Sequence, residues 1–73
     1  MPAESAIIEI TVNGRSTEIS RGQTVFDLLL ALDIKPDRVA VELNRELVKQ
    51  RDWSVTRVDA GAQVEIVHFV GGG

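Results

Sequence analysis

The chain has 73 residues, a net charge of -3 and no cysteine. A chain this short holds one small core and no large catalytic cleft, because domains below about 80 residues gain only about 3 to 5 kcal/mol from burial. The lack of cysteine excludes disulfides and a cysteine nucleophile. The acidic balance, with scattered Lys and Arg, argues against binding to nucleic acid or an anionic membrane.

The sequence shows neither a membrane-spanning segment nor a signal peptide, and both observations bear on the cellular location of the protein. No segment reaches the ~20 consecutive apolar residues that span a bilayer, and residues 1–5 lack the basic and apolar regions of a signal peptide. We therefore expect a soluble, cytoplasmic protein with a single domain over residues 1–73. Residues 1–5 are expected to be a loose lead-in, and residues 71–73 a flexible tail.

The body of the chain opens with a hairpin pattern. Residues 8–12 alternate apolar and polar side chains, which predicts a half-buried strand. Asn13-Gly14 is the dipeptide most typical of a tight turn between two strands. A second strand is therefore expected near residues 15–20, with Thr17 and Ile19 facing inward.

A helix pattern follows the hairpin. Apolar residues with the spacing i, i+3, i+4 and i+7 predict a helix that packs against a sheet. This stripe consists of Val25, Leu28, Leu29 and Leu32. Thr24 is the natural N-cap, and Asp27 stands where the carboxylate of a capping box reaches back. Pro36 limits how far the helix can continue.

Short strands and a loop come next. Residues 39–43 return to period two, and Asn44-Arg45 can turn the chain into a short strand over residues 46–48. Residues 49–58 show no clean period and are expected to form a loop or a short helical turn. Trp53 within them is expected to be a packing residue.

A last strand is predicted over residues 64–70, after a turn at residues 59–62. The order is then two strands, a helix, a strand with a short connector and a final strand. A hairpin, one main helix across a mixed sheet of four to five strands and a final strand make up the β-grasp, or ubiquitin-like, fold of the α+β class.

The last strand is predicted to have one buried and one exposed face, because successive side chains point to opposite sides. The buried face would receive Val64, Ile66 and His68. The other face would receive Glu65, Val67 and Phe69. Glu65 marks that face as solvated, so Val67 and Phe69 would be exposed, as is typical of a partner surface. The alternative is that they pack under a neighbouring loop.

The sequence ends on Gly71, Gly72 and Gly73, which are half of its 6 glycines. Glycine has no Cβ to bury, so such a segment suits a narrow channel in another protein better than a packed core. The α-carboxylate of Gly73 is then the group that an acyl-activating enzyme could reach without disturbing the fold. The alternative is an end with no chemical role.

Other polar residues are given structural roles. His68 is the sole histidine, and a metal or acid–base role would need partners that the sequence does not offer. Glu42 and Glu65 could form a carboxylate pair on adjacent strands, but a solvated face explains them more simply. No metal site is predicted.

Several blocks together carry a resemblance to a known family: Thr11-Val12-Asn13-Gly14, Gly22-Gln23-Thr24-Val25, residues 39–44, Arg51-Asp52-Trp53 and residues 64–73. In order and spacing they resemble the ThiS sulfur carriers of thiamine biosynthesis over nearly the whole chain after residue 5. Lys49-Gln50 stands where that family commonly has a proline, and Ala62 replaces a common acidic residue. Both departures lie in connecting loops.

The resemblance implies a carrier cycle. A ThiF-like enzyme would adenylate the Gly73 carboxylate with ATP, and sulfur from a cysteine desulfurase would displace AMP. The resulting thiocarboxylate would deliver sulfide to a ThiG-like thiazole synthase. The chain itself would bind no cofactor and would be a substrate of enzymes rather than an enzyme, with Gly72 as part of the reactive tail. Contacts to the partner proteins would come from Val67, Phe69, Val70 and Gly71.

Other functions stay open at this point. The chain could be a non-covalent ubiquitin-like interaction module whose tail has no chemistry. Among carriers, the small subunit of molybdopterin synthase is the nearest competitor. Its members are typically longer and carry prolines just before the last glycines, whereas His68-Phe69-Val70 has none. Conjugation to lysines, as in ubiquitin, is a third outcome.

Overall fold

The computed structural model describes residues 6–70, so the lead-in predicted for residues 1–5 and the tail predicted for residues 71–73 lie outside the described residues. The main elements are β1 (Ile7–Val12), β2 (Arg15–Ser20), α1 (Val25–Ala31), β3 (Val39–Leu43), β4 (Glu46–Val48) and β5 (Gln63–His68). Short 3-10 helices at Pro36–Arg38 and Gln50–Asp52 precede β3 and follow β4. Every predicted strand and the predicted helix are present.

The strands form one mixed sheet in the order β2-β1-β5-β3-β4. The β1–β5 pair is parallel and the other neighbours are antiparallel. Buried residues of α1 pack with the inward side chains of the sheet in one apolar core. This is the predicted β-grasp arrangement, in which the single helix covers one face and leaves the other face of the sheet open. No helix within residues 6–70 has the length and apolar character needed to cross a membrane.

The start of α1 agrees with the predicted capping box. The Thr24 hydroxyl accepts from the Asp27 amide at 3.1 Å, and the Asp27 carboxylate accepts from the Thr24 amide at 3.1 Å. The next two amides of the helix, those of Val25 and Phe26, donate to the carbonyls of Thr56 and Trp53. The amide groups that a helix start leaves unpaired thus find partners in the cap and in the loop before β5.

The end of α1 differs from the prediction. The helix ends at Ala31 with Leu32 as its C-cap, and Leu32 is exposed rather than part of the buried stripe. Asp33 adopts a left-handed conformation with φ 60°, and the Ile34 amide donates to the Leu29 carbonyl at 2.9 Å. This is a Schellman motif, which ends the helix well before Pro36. Pro36 instead begins the 3-10 helix that precedes β3.

The loop and turn residues take the roles expected of them. Trp53 is buried, and its indole Nε1 donates to the Val48 carbonyl at 2.8 Å. Both predicted hairpin turns place their two central residues at positive φ, Asn13-Gly14 between β1 and β2 and Asn44-Arg45 between β3 and β4. On the inner face of β2, Ile19 is buried and Thr17 is half-buried.

Asn13 has a second role that the hairpin pattern does not reveal. Beyond the two paired positions of β1 and β5, the Asn13 amide donates to the Val64 carbonyl at 2.8 Å. The Asn13 side chain then accepts from the Ile66 amide at 2.7 Å and donates to the Ile66 carbonyl at 3.1 Å. A side-chain amide therefore continues the backbone ladder and holds β5 close to its end.

The two turn asparagines, Asn13 and Asn44, should differ in how much they contribute to the free energy of unfolding. Asn13→Gly keeps the positive φ but removes two side-chain hydrogen bonds, whereas Asn44→Gly removes the one that Asn44 accepts from the Gln63 amide. At about 1 kcal/mol for each hydrogen bond, we expect losses of unfolding free energy of about 2 and about 1 kcal/mol. Urea denaturation measures both, and equal losses would contradict the role given to Asn13.

Candidate functional site

Except at His68, the last strand divides its buried and exposed side chains as predicted. Val64 and Ile66 are buried in the core. On the opposite face, Val67 is 58% exposed and Phe69 is 62% exposed. The alternative, in which these two side chains pack under a loop, is therefore wrong for both of them.

The strand itself ends earlier than predicted, at His68 rather than Val70. The Phe69 amide still donates to the Arg38 carbonyl at 2.9 Å, so the backbone at Phe69 remains attached to the residue before β3. His68 pairs in register with Val39 but is exposed at the strand end. Val70 is 93% exposed and is the last residue that the structure describes.

Two residues that sequence reasoning missed extend this surface. Ala40 on β3 lies directly opposite Val67, and Leu47 on β4 lies opposite Glu42 of β3. Leu47 is 64% exposed although it is a large apolar residue. We call Ala40, Leu47, Val67 and Phe69 the apolar patch. Alternation in residues 46–48 could have indicated an outward Leu47, but its position beside β3, near Val67 on the same face, depends on the strand order.

A cleft opens at one side of the apolar patch. Its volume is about 270 Å³, and Ala40, Leu47 and Phe69 contribute to its lining, together with Pro36 and Lys49. The cleft lies where the two 3-10 helices approach the edge of the sheet. An apolar side chain of a partner protein could enter it while the rest of the patch is covered. The apolar patch is thus exposed and also has a cleft at its side.

The chemistry predicted for the tail concerns residues outside the described range. Gly71, Gly72 and Gly73 lie beyond Val70, so their roles stay predictions. Within residues 6–70, no group of His, Asp and Glu side chains is arranged to hold a metal ion. What the described part of the chain contributes is the exposed apolar patch and the cleft beside it.

The sheet order and the helix packed on one face define a ubiquitin-like, β-grasp protein. A crystal structure of a thiamine biosynthesis protein (ThiS) from Geobacter metallireducens matches with a TM-score of 0.80 and 35% sequence identity, covering 90% of this chain and 100% of that one. The sulfur carrier protein ThiS of Escherichia coli K12 is 29% identical over 66 residues, which are 90% of this chain and 100% of that protein.

The ThiS family model matches residues 8–73. The chain therefore belongs to the ThiS family. A further relative, the thiazole synthase of Magnetococcus marinus, is 35% identical over 66 residues and 90% of this chain. The chain spans only 20% of the length of that relative.

The exposure of Phe69 predicts how its substitution affects stability. Phe69→Asp should change the free energy of unfolding by less than about 0.5 kcal/mol, because an exposed side chain contributes little to the core. Ile66→Ala, on the buried face of the same strand, should cost about 2 to 5 kcal/mol. Urea denaturation of both variants compares the two faces. A loss for Phe69→Asp as large as that for Ile66→Ala would show that Phe69 belongs to the core.

Proposed function

We propose that this chain is a sulfur carrier protein of thiamine biosynthesis whose Gly73 carboxylate is converted into a thiocarboxylate. The observation that carries the proposal is the match of the ThiS family model to residues 8–73, which runs through the three terminal glycines. The ThiS relatives from Geobacter metallireducens and Escherichia coli support it, since this chain covers the full length of both.

The chemistry requires activation because a carboxylate is a poor electrophile. An oxygen of the Gly73 carboxylate attacks the α-phosphorus of ATP and releases pyrophosphate, which gives an acyl-adenylate with AMP as leaving group. Sulfur at the oxidation level of sulfide then attacks the acyl carbon and forms the carbon–sulfur bond as AMP departs. A ThiF-like enzyme would bind the ATP, so the carrier is a substrate in this step and supplies no cofactor.

The exposed end of the described chain suits this reaction. Val70, the last residue that the structure describes, is almost fully exposed, and the three glycines follow it in the sequence. Fully extended, the segment from Phe69 to Gly73 reaches at most ~17 Å. Glycine side chains add no width to it. The carboxylate could therefore enter a narrow site in an enzyme while the apolar patch rests on the outside.

A thiazole synthase is the proposed receiver of the sulfur. In Magnetococcus marinus, the 66 residues similar to this chain form 20% of a protein named thiazole synthase. Joining a carrier-like segment to that enzyme keeps the two at high effective concentration, as partners in successive steps require. We extend this to a separate ThiG-like partner here, with a cysteine desulfurase as sulfur source, in the cytoplasm where ATP is available.

Intact mass spectrometry tests the carrier function. The chain is incubated with ATP, a ThiF-like adenylating enzyme and inorganic sulfide, and one oxygen should be replaced by sulfur. Removal of Gly73 should abolish this change while leaving the circular dichroism spectrum and melting temperature unaltered, because residues 6–70 contain the whole described core. The enzyme's activity on the carrier of its own organism is the positive control. An unchanged mass of the full chain with active enzyme would overturn the proposal.

Docking is tested separately from chemistry. Phe69→Asp should weaken binding to the adenylating enzyme by about tenfold or more, because it places a charge in the apolar patch. Leu30→Asp is the matched control, since Leu30 is also exposed but lies on α1, which covers the opposite face of the sheet. Calorimetric titration measures both variants. Equal losses of affinity would show that the apolar patch has no special role.

A further inference from the structure

Two carboxylates stand side by side next to the apolar patch. Glu42 of β3 and Glu65 of β5 are directly opposite each other in the antiparallel register, and Leu47 lies on the other side of Glu42. Directly opposite side chains have Cβ atoms about 4.5 to 5.5 Å apart. Ala40 and Val67 form the next outward pair along the same strands, about 7 Å away. The carboxylates and the patch are therefore parts of one continuous surface.

The fold gives these two carboxylates no partner. Across residues 6–70, the side-chain carboxylates of Glu42 and Glu65 take part in no hydrogen bond or ion pair, and both residues are exposed. Like charges directly opposite each other on a sheet destabilise it. A second cross-strand pair, Glu9 and Glu18, lies on β1 and β2, where the Glu9 carboxylate accepts from the Ser16 hydroxyl.

We propose that Glu42 and Glu65 extend the apolar patch into a docking surface for the adenylating enzyme, which pairs them with Arg or Lys side chains. The inference rests on the proposed function for the identity of this partner. An enzyme that binds ATP needs cationic groups for the triphosphate, so its site has a positive field. The carrier must bring a carboxylate to that site, and a negatively charged face on the strand that precedes the tail in the sequence is attracted to it.

The two parts of the surface would contribute differently to binding. Burial of the apolar side chains provides affinity that depends little on salt. The carboxylates speed the encounter and orient it, an effect that added salt screens. The cost of the unpaired carboxylates in the free carrier would be relieved when the enzyme supplies opposite charges.

The double variant Glu42→Gln/Glu65→Gln tests whether the two carboxylates contribute to binding of the adenylating enzyme. The double variant Glu9→Gln/Glu18→Gln is its matched control. Both double variants remove the same charge from a pair of facing residues on adjacent strands, but the control pair lies toward the other edge of the sheet. At low ionic strength, the first should bind the adenylating enzyme about tenfold more weakly, with a slower association rate and a weaker dependence on salt. Its melting temperature should stay equal or rise, while the control should bind like the parent chain. Surface plasmon resonance at about 0.05 and 0.5 M salt provides the rates.

Several outcomes would overturn the inference. The inference would be wrong if the Glu42→Gln/Glu65→Gln variant bound the enzyme as tightly as the parent chain, or if the control variant lost as much affinity. It would also be wrong if the parent chain did not bind the enzyme. A variant that binds this enzyme normally and loses affinity only for a thiazole synthase would also overturn it. The sulfur-transfer assay separates this result from the proposed function. If the parent chain binds as expected but gains no sulfur, the docking surface is supported and the proposed sulfur-carrier function is overturned. If the parent chain gains sulfur but the variant binds as tightly as the parent, the function is supported and the docking surface is overturned.

Discussion

The position of β5 between β1 and β3 is the constraint on which the rest of the structure depends. On one face its side chains complete the core beneath α1, and on the other it carries Val67, with Phe69 just past its end. The register that pairs β5 with β3 also places Ala40 beside Val67. The core and the apolar patch thus share one strand, so a shift of one residue in its register would exchange buried and exposed side chains.

Features that depend on neighbouring residues could be predicted from the sequence. Asn13-Gly14 tolerates the positive φ of a tight turn, and Thr24 with Asp27 closes a capping box within one helical turn. The alternation of the last strand likewise predicted the exposed Val67 and Phe69. The end of α1 could not be predicted, because the left-handed residue of its Schellman motif is Asp33 rather than glycine.

The missed part of the site depends on contacts between distant segments. Ala40 and Leu47 join the apolar patch only because the sheet places β3 between β5 and β4, and no local pattern states that order. The same holds for Asn13, whose side chain bonds to Ile66 at a distance of 53 residues along the chain. The positive φ of the turn explains why asparagine suits position 13. Only the folded sheet shows that the side-chain amide of this residue forms hydrogen bonds with the backbone of Ile66. The roles of residues 71–73 lie outside the described residues and remain proposals.

The hydrogen bonding of β5 has a mechanical consequence. A force applied to Val70 in the direction of β5 acts along the axis of the strand. The hydrogen bonds between β5 and β3 run across that axis, so the force shears them together instead of opening them one at a time. The parallel pairing with β1 and the Asn13 side chain resist the same displacement from the other edge. Such a force on Val70 would therefore not separate β5 from β3 residue by residue.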